Sequence, residues 1–444
     1  MGLSARASYG FDAKYYLEFN MGYNGSEQFA KGKRFGFFPS VSGAWVISNE
    51  SFFGKSELLN ILKIRASYGK VGSDQLGSRR FLYLDDIQRQ GSGGYSGTLG
   101  RGGFILENFI GNPDVQWEIA KKLNLGLDVK VFQSLDITFD YFDEKRSNVL
   151  ISRGTVPTVY GLPQANLAPF NLGVVSNKGF ELEMNYNKVI NEDLSFVLKG
   201  NFNKAKNNVD FRDEPLLPAD YAYRTRATGY PIGQNFGYLI DRYFSSEEDI
   251  IQSGLTYTGR APRPGDFKYK DLNGDHLIDD KDIAPIGYSI VPQYTFGGGL
   301  SINYKNFDIS ALLQGVAKVS NYIGSSEIND FRPRHLNAWT AERAASGASI
   351  DYPALSMALS SSNRQNEFYI EDTGFIRLKN VEIGFTLPSS ITNKIGAKSL
   401  RIYTNGFNLI TWDRLKNKDI DPELSGINAY PVYRVFNGGI NLIF

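Results

Sequence analysis

Five oxygen-bearing side chains fall within a twelve-residue stretch of this chain, with the spacing of a calcium-binding loop. They are Asp271, Asn273, Asp275, Asp279 and Asp282, at positions 1, 3, 5, 9 and 12 of the stretch. Calcium takes about six to eight oxygen ligands, and such a loop wraps them around one point with a backbone carbonyl at position 7. The pattern therefore predicts a structural calcium ion bound by Asp271, Asn273, Asp275, Leu277, Asp279 and Asp282.

Two residues of this loop depart from the usual calcium-binding pattern. His276 stands at position 6, where a glycine normally makes the sharp turn, and Asp282 replaces the longer glutamate that normally closes the loop. Ile278 at position 8 is predicted to point inward as an apolar anchor. The alternative interpretation is a polar turn without a metal. In the calcium interpretation the ion makes the loop rigid, and no catalysis is implied.

Aromatic side chains in the long polar segments have the chemistry of ligand contacts. Aromatic faces stack on sugar rings, and tyrosine hydroxyl groups form hydrogen bonds with polar ligands. The same side chains can equally pack against a partner protein or against each other. The predicted ligand or partner contacts are Tyr221, Tyr223, Tyr230, Tyr238, Trp339 and Tyr352.

The composition argues against catalysis and against nucleic-acid binding. The chain has no cysteine, and its two histidines, His276 and His335, lie far apart in sequence, which leaves little material for a metal hydrolase or a catalytic triad. The formal net charge is +1, from 48 basic and 47 acidic residues, so no strongly basic surface is expected. We therefore expect a protein that is not an enzyme and does not bind nucleic acid.

The elements that must position these residues are strands, because apolar residues recur with a period of two. Leu123, Leu125 and Leu127, for example, alternate with Asn124 and Gly126, which gives a strand one apolar and one polar face. A ten-residue strand tilted by about 45° rises roughly 23 Å, the height of the apolar band of an outer-membrane barrel. About thirteen such spans are predicted, near residues 3–10, 17–24, 35–47, 59–71, 123–131, 135–141, 180–187, 194–206, 294–305, 307–319, 374–387, 398–411 and 433–444.

Alternation alone is equally compatible with a soluble β-sandwich, and the connections between the spans distinguish the two folds. Short links (11–14, near Gln133, 189–193, Asn306 and 388–397) and the moderate link 48–58 alternate with the moderate link 26–34 and with long ones (72–114, 145–178, 207–293, 320–373 and 412–432). An up-and-down barrel has its odd and even connections at opposite ends, and outer-membrane barrels have long loops outside and short turns inside. The sequence therefore predicts an all-β fold, part of an antiparallel up-and-down transmembrane β-barrel that contacts the lipid bilayer.

Two of the long connections have room for additional structure. Segments 72–114 and 207–293 can each hold a further hairpin, for example around Phe81 to Ile87, and two added strands leave the up-and-down parity unchanged. Segment 207–293 is predicted to be a long extracellular region that carries the calcium-like loop at 271–282. At the C-terminus, Ile440, Leu442 and Phe444 share the apolar face of the last strand, which resembles the signal read by the barrel-assembly machinery.

Several stretches together resemble the SusC/RagA family of TonB-linked outer-membrane proteins of Bacteroidetes-type Gram-negative bacteria. The resemblance covers essentially the whole chain, and the combination is specific although each piece alone is not. The stretches are Phe37 to Ser42, Trp45, Ser48 to Glu50, Leu62 to Gly69, Asn177 to Glu181, Gly229 to Gly233, Asp271 to Ile278 and Tyr304 to Asp308. His276 departs from the family pattern, which has a glycine there.

The resemblance implies the C-terminal part of a 22-stranded barrel whose lumen holds a plug. It also implies that TonB moves the plug through the N-terminal part of the transporter, that a SusD-like lipoprotein caps the outer face, and that the cargo is an oligosaccharide or a peptide. The signal peptide, TonB box and plug of the family are not recognised in this sequence. We expect that these residues alone neither close a barrel nor transport, because open sheet edges are not satisfied in lipid.

Two alternative functions remain open at this point. A smaller passive outer-membrane channel would share the strands and the loop pattern. A secreted calcium- and glycan-binding β-protein would share the calcium-like loop and the aromatic residues, but it does not explain why long and short connections alternate.

Overall fold

The computed structural model describes the chain except for residues 55, 78, 91–103, 156–162, 216, 219–225, 325–332, 417, 419, 425–428 and 431. The chain forms two compact units. The first consists of Met1–Leu182, Ala205–Pro215 and Ala227–Tyr230, and the second contains Glu183–Lys204 and Pro231–Phe444. Within the described part of the chain, no helix has the length and apolar content needed to cross a membrane.

The first unit is built almost entirely from strands. These are β1 (Gly2–Phe11), β2 (Tyr15–Gly25), β3 (Phe35–Val46), β4 (Leu59–Ser73), β5 (Asp86–Gln90), β6 (Phe104–Phe109), β7 (Glu118–Val131) and β8 (Leu135–Ile151). Short 3₁₀ turns occupy Ile47–Asn49 and Gln164–Asn166. The long strands β9 (Phe170–Asn191) and β10 (Leu194–Phe211) contribute residues to both units.

The second unit combines strands with a few short helices. The strands are β11 (Gln234–Tyr238), β12 (Ile240–Tyr243), β13 (Thr256–Tyr257), β14 (Phe267–Tyr269), β15 (Leu277–Ile278), β16 (Ile283–Ser289), β17 (Tyr294–Tyr304), β18 (Phe307–Ala317), β19 (Ser320–Tyr322), β20 (Ile370–Asp372), β21 (Phe375–Thr386), β22 (Ser399–Asp413) and β23 (Val435–Ile443). The helices are α1 (Glu247–Ser253), α2 (Ala341–Ser346) and α3 (Ser389–Thr392). Turns of 3₁₀ helix lie at Asp280–Asp282, Pro333–His335, Ser361–Asn363, Glu367–Tyr369 and Asn393–Ile395.

Thirteen of the described strands form one sheet, and each of the thirteen predicted spans corresponds to one of them. The order is β1-β2-β3-β4-β7-β8-β9-β10-β17-β18-β21-β22-β23. Strands that follow one another along the sheet also follow one another along the chain, apart from the small strands in the connections. This up-and-down order confirms the predicted all-β, antiparallel fold.

The remaining strands pair in small two-stranded sheets, which are β5-β6, β11-β16, β12-β14, β13-β15 and β19-β20. They lie within the connections between β4 and β7, between β10 and β17, and between β18 and β21. The hairpin predicted near Phe81 to Ile87 therefore exists, but it begins at Asp86 and does not join the large sheet. Phe81 itself has a positive φ of 54° and precedes the hairpin in a turn.

Apolar side chains form continuous rows across neighbouring strands within each unit. In the first unit, Phe19 pairs with Val41, Val41 with Tyr68, and Tyr68 with Leu123. In the second, a row runs through Tyr304, Phe307, Phe385, Ile402 and Ile440. Phe19, Val41 and Tyr68 are 44 to 49% exposed. A continuous exposed apolar face of this kind marks a surface that contacts lipid or another protein.

The connections of the large sheet alternate in length, with one exception. Residues 12–14, 47–58, 132–134, 192–193, 305–306 and 387–398 form the shorter series. The other series consists of residues 26–34, 74–117, 152–169, 212–293, 318–374 and 414–434. Each of these is longer than the connections of the first series that come before and after it in the chain, except that 26–34 is shorter than 47–58. Successive connections lie at opposite ends of the strands of an antiparallel sheet. The second series contains every second connection, so its members all lie at one end of the strands.

Three strands extend further than the apolar alternation predicts. β8 continues ten residues past Tyr141 to Ile151, β9 begins at Phe170, and β10 ends at Phe211. Charged residues occupy these extensions, and cross-strand ion pairs hold them, such as Lys122–Glu144 at 3.2 Å and Lys178–Asp143 at 2.9 Å. The backbone hydrogen-bond ladder therefore continues where the apolar pattern stops.

The long connections carry hydrophobic cores of their own. In the first unit, Phe29, Leu82, Phe109, Val115 and Ala168 are buried together, with Trp117 packed against them. In the second unit, the core contains Tyr238, Phe267, Tyr269, Ile278, Ala338, Tyr352 and Tyr369, and we call it the loop core. These connections are therefore packed structures.

Candidate functional site

Arginine side chains bridge carboxylates on the polar face of the large sheet. In the first unit, the Arg65 guanidinium on β4 bonds Asp128 on β7 at 3.0 Å and Asp140 on β8 at 2.8 Å. It lies over Gly126, where an added Cβ would be 2.5 Å from Arg65 Cζ. The alternation of the strands brings these side chains to one face, and the glycine leaves room for the arginine between them.

The second unit repeats this arrangement. The Arg401 guanidinium on β22 donates to Glu382 on β21 at 2.7 Å and also to Asp308 on β18. A Cβ on Gly384 would lie 2.4 Å from Arg401 Nη2. The alternation in the sequence places the charged residues of both bridges on the polar face, but it does not show which of them pair. Such bridges fix charged groups along a polar wall and form no nucleophile–base arrangement.

The calcium-like loop is curled by hydrogen bonds from its own backbone. Asp271 accepts from the amides of Gly274 at 2.7 Å and His276 at 2.9 Å. Asp282 accepts from the amides of Leu272 at 2.8 Å and Asp279 at 2.9 Å. The first and last predicted ligands thus close the loop on itself.

Two details of the loop agree with the calcium-loop pattern. His276 has a φ of +62°, so the chain makes at position 6 the left-handed turn for which a glycine is usual. Ile278 is fully buried in the loop core, which confirms the predicted inward anchor. Its neighbour Leu277 pairs with Thr256 in the short parallel ladder β13-β15.

The chemistry of the donor set fits calcium, since the predicted ligands are hard oxygens. Asp282 is fully buried, and its burial raises its pKa, an effect that the nearby carboxylates of Asp271 and Asp279 strengthen. A bound cation would offset the unfavourable burial of the Asp282 carboxylate and its repulsion by the neighbouring carboxylates. The described residues, however, contain no group of three or more acidic or histidine side chains already gathered around one point. The calcium site therefore stays a prediction.

An arginine from another connection holds the loop from outside. Arg364 Nη1 donates to the Ile278 carbonyl at 3.3 Å and to the Tyr238 hydroxyl at 3.3 Å, and Nη2 donates to the Thr258 carbonyl. Its guanidinium also lies 5.2 Å from the centre of the Tyr238 ring. Within the second unit, Arg364 thereby joins the described part of connection 318–374 to the part of connection 212–293 that contains Tyr238, Thr258 and Ile278.

The predicted aromatic contacts have different surroundings. Tyr238 and Tyr352 are both 6% exposed in the loop core. Trp339 is half-buried, and its backbone amide donates to the Tyr352 carbonyl at 2.9 Å. Tyr230 belongs to the first unit and is half-buried. Tyr221 and Tyr223 lie outside the described residues, and a ligand role for any member of the set stays a prediction.

The second unit also contains a pocket that the sequence did not predict. Its volume is about 450 Å³, and Tyr243, Tyr352, Phe368, Tyr369 and Glu371 are among the described residues that line it. These residues come from segments far apart in sequence, so no local motif signals the pocket. Helix α1 was also missed, although Ser246 before it and Gly254 after it are ordinary helix start and stop signals.

The last strand continues the apolar face of the sheet. On β23, Ile440 pairs with Ile402 and Leu442 with Leu400. Ile440 is 69% exposed, and the terminal Phe444 is 73% exposed. The apolar side chains predicted as an assembly signal are thus accessible, and their recognition stays a prediction.

Comparisons with known proteins identify the class. A family model described as "TonB dependent receptor-like, beta-barrel" matches residues 2–409, and the chain belongs to this family. TonB-dependent receptor P3 of Formosa agariphila is 29% identical over 99% of this chain and 45% of that protein. TonB-dependent receptor SusC of Bacteroides thetaiotaomicron is 26% identical over 99% of this chain and 43% of that protein.

Solved structures agree on the fold. The RagAB peptide transporter matches 99% of this chain and 47% of that chain, with a TM-score of 0.78 and 22% sequence identity. The resemblance to SusC/RagA proteins predicted from the sequence is therefore confirmed. This family consists of outer-membrane proteins of Gram-negative bacteria. The chain spans less than half the length of the curated relatives described above.

Proposed function

We propose that this chain is barrel wall in a TonB-dependent outer-membrane importer that takes up oligosaccharides or peptides with a SusD-like lipoprotein. The observation that carries this proposal is the two-faced sheet. Rows such as Phe307, Phe385 and Ile402, of which Phe307 and Ile402 are exposed, give it an apolar face, and bridges such as Arg401–Glu382 line its polar face. A wall between lipid and a polar lumen needs this distribution.

The proposal assigns a role to each region of the chain. The apolar rows contact the bilayer, and the packed long connections lie outside the cell, where the lipoprotein and the cargo arrive. The extracellular position of 207–293 belongs to this proposal. TonB acts through the N-terminal part of the transporter, and the barrel-assembly machinery recognises the end that includes Ile440, Leu442 and Phe444.

Uptake measurements in the native bacterium test the proposal. The gene is deleted and complemented, and uptake of labelled peptide and oligosaccharide mixtures is followed with and without a protonophore. We expect uptake to need both the gene and the proton gradient, and we expect a surface lipoprotein to copurify with the transporter. Gene-dependent uptake that continues after the gradient is removed would favour a passive channel and contradict the proposal.

We also propose that calcium binds the loop at 271–282 and makes it rigid. The turn at His276, the buried Ile278 and the buried Asp282 support this. In the full-length transporter, Asp271→Ala and Asp275→Ala should lower protease resistance of the loop only when calcium is present. Asp280→Ala is the control, because Asp280 is exposed and is not a predicted ligand. Equal digestion of the parent protein with and without calcium refutes the site.

A further inference from the structure

Three lysines lie directly opposite one another on neighbouring strands of the first unit. Lys70 on β4 pairs with Lys121 on β7, and Lys121 pairs with Lys145 on β8. We call these three residues the lysine row. Side chains that are directly opposite in an antiparallel pair have Cβ atoms about 4.5–5.5 Å apart, and like charges in such positions destabilise the sheet. The row therefore gathers three positive charges at a cost in stability.

The lysine row lies on the apolar face of the sheet. Side chains alternate between the two faces along a strand, so Lys70 shares its face with Tyr68, and Lys121 shares its face with Leu123. Tyr68 and Leu123 are cross-strand partners in the apolar row of the first unit. The lysines follow this pair two residues further along the strands, a distance of about 7 Å. The lysine row therefore borders the apolar band of the wall.

The row is near the end of the strands at which the long connections lie. Lys70 is three residues before Ser73, where β4 ends and connection 74–117 begins. Lys121 is three residues after Glu118, where the same connection ends and β7 begins. In the proposed importer the long connections are outside the cell, so the row is at the level of the outer leaflet.

The chain supplies a counter-charge to the neighbouring lysine on the polar face but none to the lysine row. Lys122 follows Lys121 in the chain, points to the polar face and lies 3.2 Å from Glu144. Lys70, Lys121 and Lys145 are exposed, and the described residues provide no ion-pair partner for any of them. A counter-charge for the row must therefore come from outside this part of the chain.

The carboxylates further along the apolar face are already engaged. Asp143, two residues before Lys145 on β8, lies 2.9 Å from Lys178 on β9. Asp210 on β10 accepts a 2.9 Å hydrogen bond from Ser176 Oγ. The Lys178 side chain is 59% exposed, so it adds another accessible cation beside the row.

We propose that the lysine row binds the phosphate headgroup of an anionic lipid in the outer leaflet, an inference that rests on the proposed place of the wall in the membrane. Tyr68 and Leu123 contact the acyl chains, and the long lysine side chains reach the headgroup level with their ammonium groups in water. The phosphate neutralises the opposed cations. Acyl chains and an anionic headgroup thus match the two neighbouring parts of this surface.

A free anion and an acidic protein fit the row less well. A free anion has no apolar part to cover Tyr68 and Leu123. A protein that docks on the long connections approaches beyond the row, because β8 continues six residues past Lys145 to Ile151. An anionic lipid is the partner whose charged group lies directly next to its apolar part.

Lipid-selective quenching tests the proposal. A fluorophore is attached through Leu125→Cys in a full-length transporter that carries no other cysteine, because Leu125 is exposed on the same face as Lys121. The protein is reconstituted at low salt in phosphatidylcholine vesicles with a small fraction of brominated phosphatidic acid or brominated phosphatidylcholine. We expect phosphatidic acid to bind beside the probe at least about tenfold more tightly than phosphatidylcholine. Equal quenching by the two lipids would overturn the proposal.

Neighbouring residues on the two faces provide matched variants. Lys121→Gln should lower the preference for phosphatidic acid about fivefold, the usual contribution of one lysine near an anionic surface. Replacing Lys70, Lys121 and Lys145 together by glutamine should abolish the preference. Lys122→Gln removes the same charge on the polar face and should leave the preference unchanged. If Lys122→Gln lowers it as much as Lys121→Gln, the overall charge causes the preference and the lysine row does not.

Thermal unfolding gives a readout that a purely structural role of the lysines would not produce. In a neutral detergent, the triple glutamine variant should unfold at a higher temperature than the parent, because it removes opposed like charges. Phosphatidic acid should raise the unfolding temperature of the parent but not of the variant. Inorganic phosphate should have no more effect than sodium chloride of equal ionic strength. If it stabilises the parent as much as phosphatidic acid does, the row binds free anions and the lipid assignment is wrong.

The two proposals fail in different ways. If the chain does not form a membrane wall, neither brominated lipid quenches the probe at position 125. If only the lipid assignment of the lysine row is wrong, both lipids quench the probe to the same extent, and the glutamine variants do not change the quenching.

Discussion

The buried guanidinium of Arg377 donates a 2.6 Å hydrogen bond from Nη2 to Asp421 Oδ2. Nη1 donates to Glu423, and Nε donates to Thr411 Oγ1 at 2.9 Å. Arg377 lies on β21, whereas Asp421 and Glu423 belong to connection 414–434. One fully buried cation therefore ties this connection to the large sheet.

Arg377→Gln should release connection 414–434, because Asp421 loses its cation and Glu423 keeps only Lys379, whose Nζ lies 3.5 Å away. We expect a loss of about 3 kcal/mol, at the lower end for a broken buried pair, since the carboxylates are partly exposed. Hydrogen exchange of peptides from 414–434 in the full-length transporter measures it. The control is Arg414→Gln, because the Arg414 side chain is 75% exposed and 3.7 Å from Asp372. Similar exchange in the two variants would contradict the prediction.

Ile278→Ala should destabilise the loop core. Ile278 is fully buried among Tyr238, Phe267 and Tyr269, and truncating a buried isoleucine costs about 2–5 kcal/mol. Ile251→Ala on α1 is the matched control, because Ile251 is 78% exposed, and it should change stability by less than about 0.5 kcal/mol. Protease cleavage within 231–289 reports the difference, and equal cleavage of the two variants would count against the loop core.

His276→Gly should stabilise the calcium-like loop. A non-glycine residue at φ +62° costs about 1 kcal/mol relative to glycine in the left-handed region. Gly274→Ala provides the opposite change, because Gly274 has a φ of +76° and alanine is strained there. Protease resistance of the loop should rise in the first variant and fall in the second. If His276→Gly lowers the protease resistance of the loop, the contacts of the imidazole stabilise the loop by more than the backbone strain at His276 destabilises it.

The segment around α1 should lose protection in acid. The Arg242 guanidinium, with the Ser245 amide, holds the pKa of Asp249 well below its usual range. The ionised form of Asp249 therefore stabilises the folded state. This stabilisation is complete above the ordinary aspartate pKa of about 3.9, and it is lost as the pH falls towards the lower pKa that Asp249 has in the folded protein. Hydrogen exchange of 242–254 at several pH values measures it. Asp249→Asn should remove the pH dependence of the exchange. If the variant keeps this pH dependence, another titrating group causes it.

The sequence predicted the large sheet well because each of its strands has two different faces. Alternation such as Leu125 beside Asn124 depends only on neighbouring residues, so one sequence is enough to find it. The extensions of β8 and β10 were missed because charged residues interrupt the apolar pattern there, while backbone hydrogen bonds continue.

The packed connections were harder to predict because they depend on contacts between distant segments. Arg364 bonds Ile278 across 86 positions of the chain, and Tyr269 donates to the Ser361 carbonyl across 92. The pocket of the second unit and the buried Arg377 arise in the same way. The calcium-like loop was recognised because its predicted ligands lie close together in sequence, and the buried anchor Ile278 was predicted from the same spacing.

The most direct test of the central claim is a comparison of the two faces of the sheet in the outer membrane. The chain itself has no cysteine, and single cysteines at Leu125 and Ile309 are compared with cysteines at Asn124 and Ser310 in a full-length transporter that carries no other cysteine. We predict that probes at 125 and 309 are quenched by spin-labelled lipids, whereas probes at 124 and 310 are not. Equal quenching on both faces, or quenching on the polar face alone, would contradict a wall that separates lipid from a polar lumen.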